Sequence, residues 1–126
     1  MNPLTLEWIQ KAESDILVAE KLLRGRKLPA NDAICFHAQQ CAEKYLKALL
    51  QEHGKHIPKL HDLGELLNLV VSFDPACQFL LTDLETLNDY AVDFRYPGAF
   101  ATRDEARAAV KAAQAVREFL RQRLGA

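Results

Sequence analysis

Apolar residues recur along the chain at spacings of three and four, which places their side chains on one face of an α-helix. No stretch alternates between apolar and polar residues over a useful length, so the pattern does not predict a β-sheet. Four long amphipathic helices are therefore expected, each with one apolar stripe. The stripes are Ile9, Ala12, Ile16, Ala19 and Leu23; Ile34, Ala38, Cys41, Tyr45 and Ala48; Leu80, Leu84, Leu87, Ala91 and Phe94; and Ala106, Val110, Ala113, Val116 and Leu120.

Capping residues, glycines and prolines mark where the helices begin and end. Asn2 followed by Pro3 is a favourable start, because a capping side chain precedes a residue that has no N–H to satisfy. Asp74 followed by Pro75 predicts a capped start of the same kind, and Asp62 predicts the cap of a short helix. The predicted helices run approximately over Pro3 to Gly25, Asn31 to His53, Asp62 to Val71, Pro75 to Tyr96 and Thr102 to Leu124.

This organisation predicts an all-α fold, an up-and-down bundle of four long helices plus one short helix. The 126 residues suit one compact core, so we expect residues 1–126 to form a single helical-bundle domain. The second helix carries apolar residues on more than one face, and many alanines limit the apolar area that one monomer buries. Both features favour a homodimer.

Composition and charge indicate where the protein is located and which ligands it can bind. The chain has no apolar run long enough to span a membrane and no signal-peptide pattern, which predicts a cytoplasmic protein without membrane association. A net charge of -1 gives no global sign of nucleic-acid binding, so such binding would need a local patch. Three cysteines without a CxxC pair predict buried apolar side chains rather than a metal site.

A second stripe on helix two is polar and lies beside the apolar one. His37, Gln40, Lys44 and Lys47 follow at spacings of three, four and three, so they share a face. An imidazole, an amide and two ammonium groups in a row are suited to holding a phosphate or a nucleotide. The alternative is a solvated or interfacial polar face, in which Glu43 and Lys47 form a surface ion pair.

The end of helix four provides the next candidates. Arg95 and Tyr96 precede Pro97, where the helix must end. An arginine at this place can stabilise the last carbonyl groups and pair with a carboxylate, which is a structural role. It can equally present its guanidinium group to a phosphate, with Tyr96 as a stacking surface. The sequence leaves both interpretations open.

Three histidines, His53, His56 and His61, fall within nine residues of one another. No acidic or cysteine ligand completes a metal set at a regular spacing, so we predict neither a metal site nor a cofactor. His61 with Asp62 instead predicts a helix start, in which the aspartate caps the first turn.

The last helix carries a basic stripe. Its members offer contact with an RNA backbone, but Asp104, Glu105 and Glu118 dilute their charge, and an ordinary solvated face is the alternative. The stripe consists of Arg103, Arg107, Lys111, Gln114 and Arg121.

Three segments of the sequence together resemble the HEPN family of small prokaryotic helical proteins. Residues 36–50, FHAQQCAEKYLKALL, are similar to the family's QQ-A-EK-x-x-KA-L helix. Residues 59–63, KLHDL, resemble its HDL segment, and residues 90–98 contain its RYP turn. The order and the separations of the segments also match, and the resemblance covers nearly the whole chain. It implies an α-helical bundle, a homodimer, and pairing with a minimal nucleotidyltransferase in a toxin–antitoxin arrangement.

Many HEPN proteins are metal-independent ribonucleases that use an Arg-x(4–6)-His motif in a dimer cleft, and this sequence departs from that motif. No histidine follows Arg95, and none of the four histidines has an arginine five to seven positions before it. The base and its electrophilic partner are therefore missing at the required spacing. The departure favours a non-catalytic protein.

The function predicted from the resemblance is that of a dimeric nucleotide- or RNA-binding or interaction module that partners a nucleotidyltransferase. One alternative is a divergent HEPN ribonuclease toxin, in which folding or dimerisation brings Arg95 close to His37 or His61. Another is a helical adaptor without a small ligand. The ligand-binding candidates carried over from the family pattern are His37, Gln40, Lys44, Lys47, His61, Asp62, Arg95 and Tyr96.

Overall fold

A computed structural model describes residues 1–25, 30–90 and 97–126 of the chain. Within these ranges the secondary structure is entirely helical, which confirms the predicted all-α class. A 3-10 helix continues directly into the fourth α-helix. The elements are α1 (Pro3–Arg24), α2 (Asn31–Glu52), α3 (Leu63–Val71), the 3-10 helix (Pro75–Leu80), α4 (Leu81–Asn88) and α5 (Arg103–Leu124).

Side-chain caps begin three of these helices. The Asn2 side chain accepts a hydrogen bond from the nitrogen of Leu4, which starts α1 as predicted. Thr102 and Glu105 form a capping box at the start of α5, in which each side chain binds the other residue's backbone nitrogen. Asp62 caps α3. These local signals explain why the predicted starts agree with the observed ones.

The start of the fourth predicted helix differs from the expectation. Its first six residues, Pro75–Leu80, form a 3-10 helix, and the predicted cap at Asp74 is wrong because its side chain makes no capping hydrogen bond. Both carboxylate oxygens of Asp74 instead accept from the guanidinium group of Arg123, at 3.0 and 2.5 Å. The last two stripe positions predicted for this helix, Ala91 and Phe94, lie outside the described residues.

Acidification is expected to destabilise the fold through Asp74. The hydrogen-bonded Arg123 holds the pKa of this carboxyl group below its usual range. A carboxyl group with a lowered folded-state pKa stabilises the fold above its unfolded pKa of about 4, and this stabilisation is lost as the pH falls through the folded value. The free energy of unfolding, measured with urea at a series of pH values, should therefore decrease below about pH 4. Asp74→Asn should make this decrease shallower.

A matched control for this pH series is Glu85→Gln, since Glu85 is exposed on α4. The control variant should follow the wild-type curve. An Asp74→Asn curve as steep as the wild-type one would show that the Asp74–Arg123 pair contributes nothing to acid stability.

Helix α2 lies at the centre of the bundle and packs against α1, α3, α4 and α5. These several contacts account for the apolar residues on more than one face of this helix. Alanines at the α1–α2 contact, among them Ala12 and Ala38, have no exposed surface, so the two helices approach closely. The three cysteines are buried as predicted, and burial raises the pKa of Cys35 and of Cys77 to about 12.

No helix in the described parts of the chain combines the length and the apolar character that crossing a membrane requires.

Candidate functional site

The polar stripe of α2 meets α1 and the start of α3 in two groups of side chains. Each group is built around one buried carboxylate, and neither carboxylate is among the residues that the sequence predicts to bind a ligand. We call the first the Asp15 cluster; it consists of Asp15, His37 and Lys44. We call the second the Glu43 cluster; it consists of Gln39, Gln40, Glu43, Lys47 and His61.

The Asp15 cluster joins α1 to α2. Asp15 is only 7% exposed, and its two carboxylate oxygens lie 2.8 Å from Nδ1 of His37 and 2.5 Å from Nζ of Lys44. His37 and Lys44 are therefore on one face, as their spacing predicts. The charge of Lys44 is balanced from α1, because an ammonium group beside a buried carboxylate is largely neutralised.

The Glu43 cluster is more deeply buried. Glu43 is 3% and Lys47 5% exposed, and Nζ of Lys47 lies 3.1 Å from Oε2 of Glu43. The predicted ion pair between these two residues is therefore present, but it lies inside the protein rather than on a solvated face. Nζ of Lys47 also lies 5.7 Å from the ring centre of Trp8, so an aromatic face supplements the carboxylate.

Two glutamines of α2 complete the hydrogen bonding around Glu43. Gln39 is fully buried, and its Nε2 donates to the carbonyl oxygen of His61 at 3.1 Å. Gln40 donates to Oε1 of Gln39 at 2.8 Å. Among the described residues, no buried side-chain nitrogen or oxygen lacks a partner. A satisfied network of this kind holds its members in fixed positions.

His61 is the exposed member of the Glu43 cluster. Its side chain is 78% exposed, while Nδ1 lies 3.1 Å from Oε2 and 3.2 Å from Oε1 of Glu43. Because an ionised carboxylate can only accept, Nδ1 donates to Glu43, and Nε2 is the ring nitrogen left for a ligand. A carboxylate that orients an imidazole in this way is found in sites for general-base catalysis and for ligand binding.

Asp62 serves the fold, as the predicted helix start implies. Its Oδ1 accepts from the nitrogen of Glu65 at 2.9 Å, and this hydrogen bond lowers the pKa of the carboxyl group. Its Oδ2 accepts from the amide of Asn88 at 3.1 Å, and Oδ1 of Asn88 accepts from the nitrogen of Leu63 at 2.9 Å. The end of α4 is thus fastened to the start of α3. No local pattern in the sequence indicated this role for Asn88.

The two remaining candidates, Arg95 and Tyr96, lie outside the described residues. Within the described part of the chain, no three His, Cys, Asp or Glu side chains are arranged to hold a metal ion. His53, one of the three clustered histidines, instead packs against Phe73 with their ring centres 4.5 Å apart.

Basic residues of α5 are mostly engaged within the protein. Arg117 binds Glu13 through two nitrogens, each at 2.6 Å, and Arg121 approaches the hydroxyl of Tyr45 at 3.2 Å. Tyr45 in turn donates to Oε2 of Glu13 at 2.8 Å. Arg103 donates to the carbonyl oxygen of Leu23. These contacts fasten α5 to α1 and α2, and Arg103 and Arg121 are the members of the predicted basic stripe that take part in them.

The sequence of this chain is similar to those of known proteins. The family model described as "HEPN domain" matches residues 5–123. A relative from Methanocaldococcus jannaschii, which carries the name "Putative toxin MJ1304", is 27% identical over 138 residues, and the match covers 94% of this chain and 89% of that protein.

Two solved structures have the same fold. The crystal structure of TT1696 from Thermus thermophilus superposes with a TM-score of 0.81 at 27% identity, covering 94% of this chain and 96% of that one. The crystal structure of ST0689, an archaeal HEPN homologue, superposes with a TM-score of 0.76 at 26% identity and the same coverage.

Proposed function

The chain belongs to the HEPN domain family, and from that premise we propose that it is a dimeric nucleotide- or RNA-binding or interaction module. In this proposal it partners a nucleotidyltransferase in a toxin–antitoxin-like pair and does not use the usual ribonuclease motif. The similarity to a protein named as a putative toxin supports the biological setting. The missing Arg-x(4–6)-His spacing supports a role without RNA cleavage.

One observation carries the ligand-binding part of the proposal. His61 exposes 78% of its side chain, although its Nδ1 is held by the buried carboxylate of Glu43. A polar side chain that the protein already holds in one orientation, and that is exposed to solvent on its other side, loses little conformational freedom when it binds a ligand. Lys44 and Lys47 are already paired with carboxylates, so hydrogen bonding contributes more to recognition than bare positive charge does.

The apolar surface beside the Asp15 cluster supports the homodimer. Val18 lies about one helical turn after Asp15 on α1, and Phe36 precedes His37 on α2; both apolar side chains are 37% exposed. The Phe36 ring meets the His37 ring edge-on, with the ring centres 5.4 Å apart. A second copy seated on this face would cover both apolar side chains. Sedimentation that shows only monomer at high concentration would remove the dimer from the proposal.

A ligand-binding measurement tests the role of His61. We expect His61→Ala to weaken binding of ATP, or of a single-stranded RNA oligonucleotide, by about tenfold or more in isothermal titration calorimetry, because a hydrogen bond to a charged ligand contributes about 1.5–3 kcal/mol. His56→Ala is the matched control, since His56 is also an exposed histidine of the same connector. An equal loss in both variants would contradict the assignment. Absence of binding by the wild-type protein would favour the helical adaptor.

The divergent ribonuclease is a second candidate that specific geometry favours. Both Asp15–His37 and Glu43–His61 pair a buried carboxylate with a partly exposed imidazole, which is the arrangement of a general base. RNA cleavage that disappears in Arg95→Ala would establish this alternative. Co-purification from the source cells with a nucleotidyltransferase chain would support the proposed pair instead.

A further inference from the structure

A second surface lies on the side of the molecule away from the Asp15 cluster. Leu17 follows Asp15 by two residues, so helix geometry places it on the opposite side of α1. There α1 and α5 border a groove of about 820 Å³, whose lining includes Leu17, Glu20 and Glu118. We call this groove, together with the adjoining aromatic rings of Phe79 and Phe119, the α1–α5 face.

The aromatic patch adjoins the groove. Phe79 of the 3-10 helix stacks on Phe119 of α5, with ring centres 5.8 Å apart and ring planes 20° from parallel. The two rings border a smaller hollow of about 260 Å³, which Glu118 also lines. Because Glu118 lies in both linings, the two depressions form one continuous surface.

Two large apolar side chains of this surface are exposed to solvent. Phe79 is 78% and Leu17 52% exposed. An exposed apolar patch with a polar rim is typical of a protein-interaction site. The paired rings offer a flat apolar surface, and the hollow of about 260 Å³ beside them is large enough for an apolar side chain.

The charge of the groove is acidic. Arg117, the arginine in its lining, is neutralised by its two hydrogen bonds to Glu13. Glu20 accepts only from the neutral amide of Gln114, at 2.8 Å, in the contacts of the described residues. Glu118 is exposed and takes part in none of the ion pairs recorded among those residues. Within the described part of the chain, the carboxylates of Glu20 and Glu118 therefore have no ion-pair partner.

The other basic residues of α1 and α5 are not part of the groove lining, although Arg121 lies 3.5 Å from Glu13, which is part of it. Lys111, on the same helix as Glu118, is seven residues away, which corresponds to about 10 Å along an α-helix. Lys21 and Arg24, in the last turn of α1, are not part of the lining. Arg123, in the last turn of α5, is held by Asp74.

These charges decide between three kinds of occupant. Nucleic acid requires cations along its backbone, and Arg117, the cation among the described lining residues, is already paired with Glu13. A second copy of the chain, packed about a two-fold axis, would bring the same carboxylates together. A protein segment that carries Lys or Arg next to an apolar residue satisfies both the carboxylates and the apolar patch.

We propose that the α1–α5 face is the docking surface for a basic, amphipathic segment of a different protein. An apolar side chain of that segment packs against Phe79 and Phe119, and its Lys or Arg residues pair with Glu118 and Glu20. The inference deepens the partner-binding part of the proposed function and is independent of ligand binding at His61.

Site-specific photo-crosslinking tests the docking surface. Phe79 is replaced by p-benzoylphenylalanine in the full chain, expressed in the source cells, and the crosslinked peptide is identified by mass spectrometry. We expect a peptide of another protein in which Lys or Arg flanks an apolar residue. Glu118→Lys should reduce the yield of this product by about tenfold or more, because it places like charges together. Glu85→Lys, the same change at an exposed site on α4, should leave the yield unchanged.

The other outcomes overturn the inference. A crosslink to a second copy of the chain, to RNA or to an acidic peptide would contradict it, and so would the absence of any crosslinked product. The same holds if Glu118→Lys leaves the yield unchanged while circular dichroism shows that the variant is folded. His61→Ala separates the two proposals. If His61→Ala loses nucleotide binding but gives the same crosslink, both proposals are supported. If the wild-type protein binds no nucleotide but still gives the crosslink, only the docking surface is supported.

Discussion

Replacing Glu43 by alanine is expected to lower the free energy of unfolding by about 3–5 kcal/mol, which is the usual cost of removing one partner from a buried ion pair. Lys47 is only 5% exposed, so its ammonium group would lose its buried carboxylate without gaining water. The amides of Gln39 and Gln40 would each lose one of their two acceptors, and the imidazole of His61 would lose its carboxylate acceptor. Urea unfolding at pH 7, followed by circular dichroism, measures the change.

Two further variants show whether the buried charge causes the loss. Glu43→Ala combined with Lys47→Met removes both charges, and this protein should regain a substantial part of the lost stability. Glu85→Ala, at an exposed position of α4, should stay within about 0.5 kcal/mol of wild type. A loss below about 1 kcal/mol for Glu43→Ala alone would mean that water reaches Lys47 and that the cluster is not a buried network.

Tyr45→Ala is the second change with a large expected effect, a loss of about 3–5 kcal/mol in the free energy of unfolding. Tyr45 has no exposed surface, and its ring fills the centre of the bundle, so alanine would leave a cavity. Its hydroxyl also joins α2 to Glu13 of α1 and Arg121 of α5. The same urea experiment measures the loss.

Tyr45→Phe separates the ring from the hydroxyl. This variant keeps the packing and removes only the hydrogen bonds, so a loss of about 0.5–1.5 kcal/mol is expected. Arg117 still holds Glu13 in this variant. Equal losses for the phenylalanine and alanine variants would show that the polar junction, rather than the ring, stabilises the three helices.

Local patterns predicted the helices well because their causes are local. A spacing of three and four brings apolar side chains to one face wherever it occurs, and a capping box such as Thr102 with Glu105 needs only four consecutive residues. Asp74 shows the limit of such patterns. Its position before a proline predicted a cap, but both of its carboxylate oxygens accept hydrogen bonds from Arg123, which is 49 residues away.

The candidate site depended on contacts of the same distant kind. The face shared by His37 and Lys44 follows from helix periodicity, whereas the buried Asp15 that binds both comes from another helix. Glu43 and Lys47 were recognised as a pair, but a pair four residues apart has the same spacing whether it is buried or exposed. Burial depends on how Trp8 and the start of α3 cover the pair, which no spacing within α2 records.

The Glu43 cluster has a consequence for how this sequence can change over time. A substitution at Glu43 leaves the ammonium group of Lys47 buried without its carboxylate, and a substitution at Lys47 leaves the carboxylate of Glu43 buried without its ammonium group. Either change alone therefore destabilises the protein. Drift at these two positions is therefore confined to coordinated replacements. In an alignment of relatives the two positions should covary, with glutamate and lysine lost together in favour of apolar residues of similar volume, while the exposed surface of α4 diverges freely.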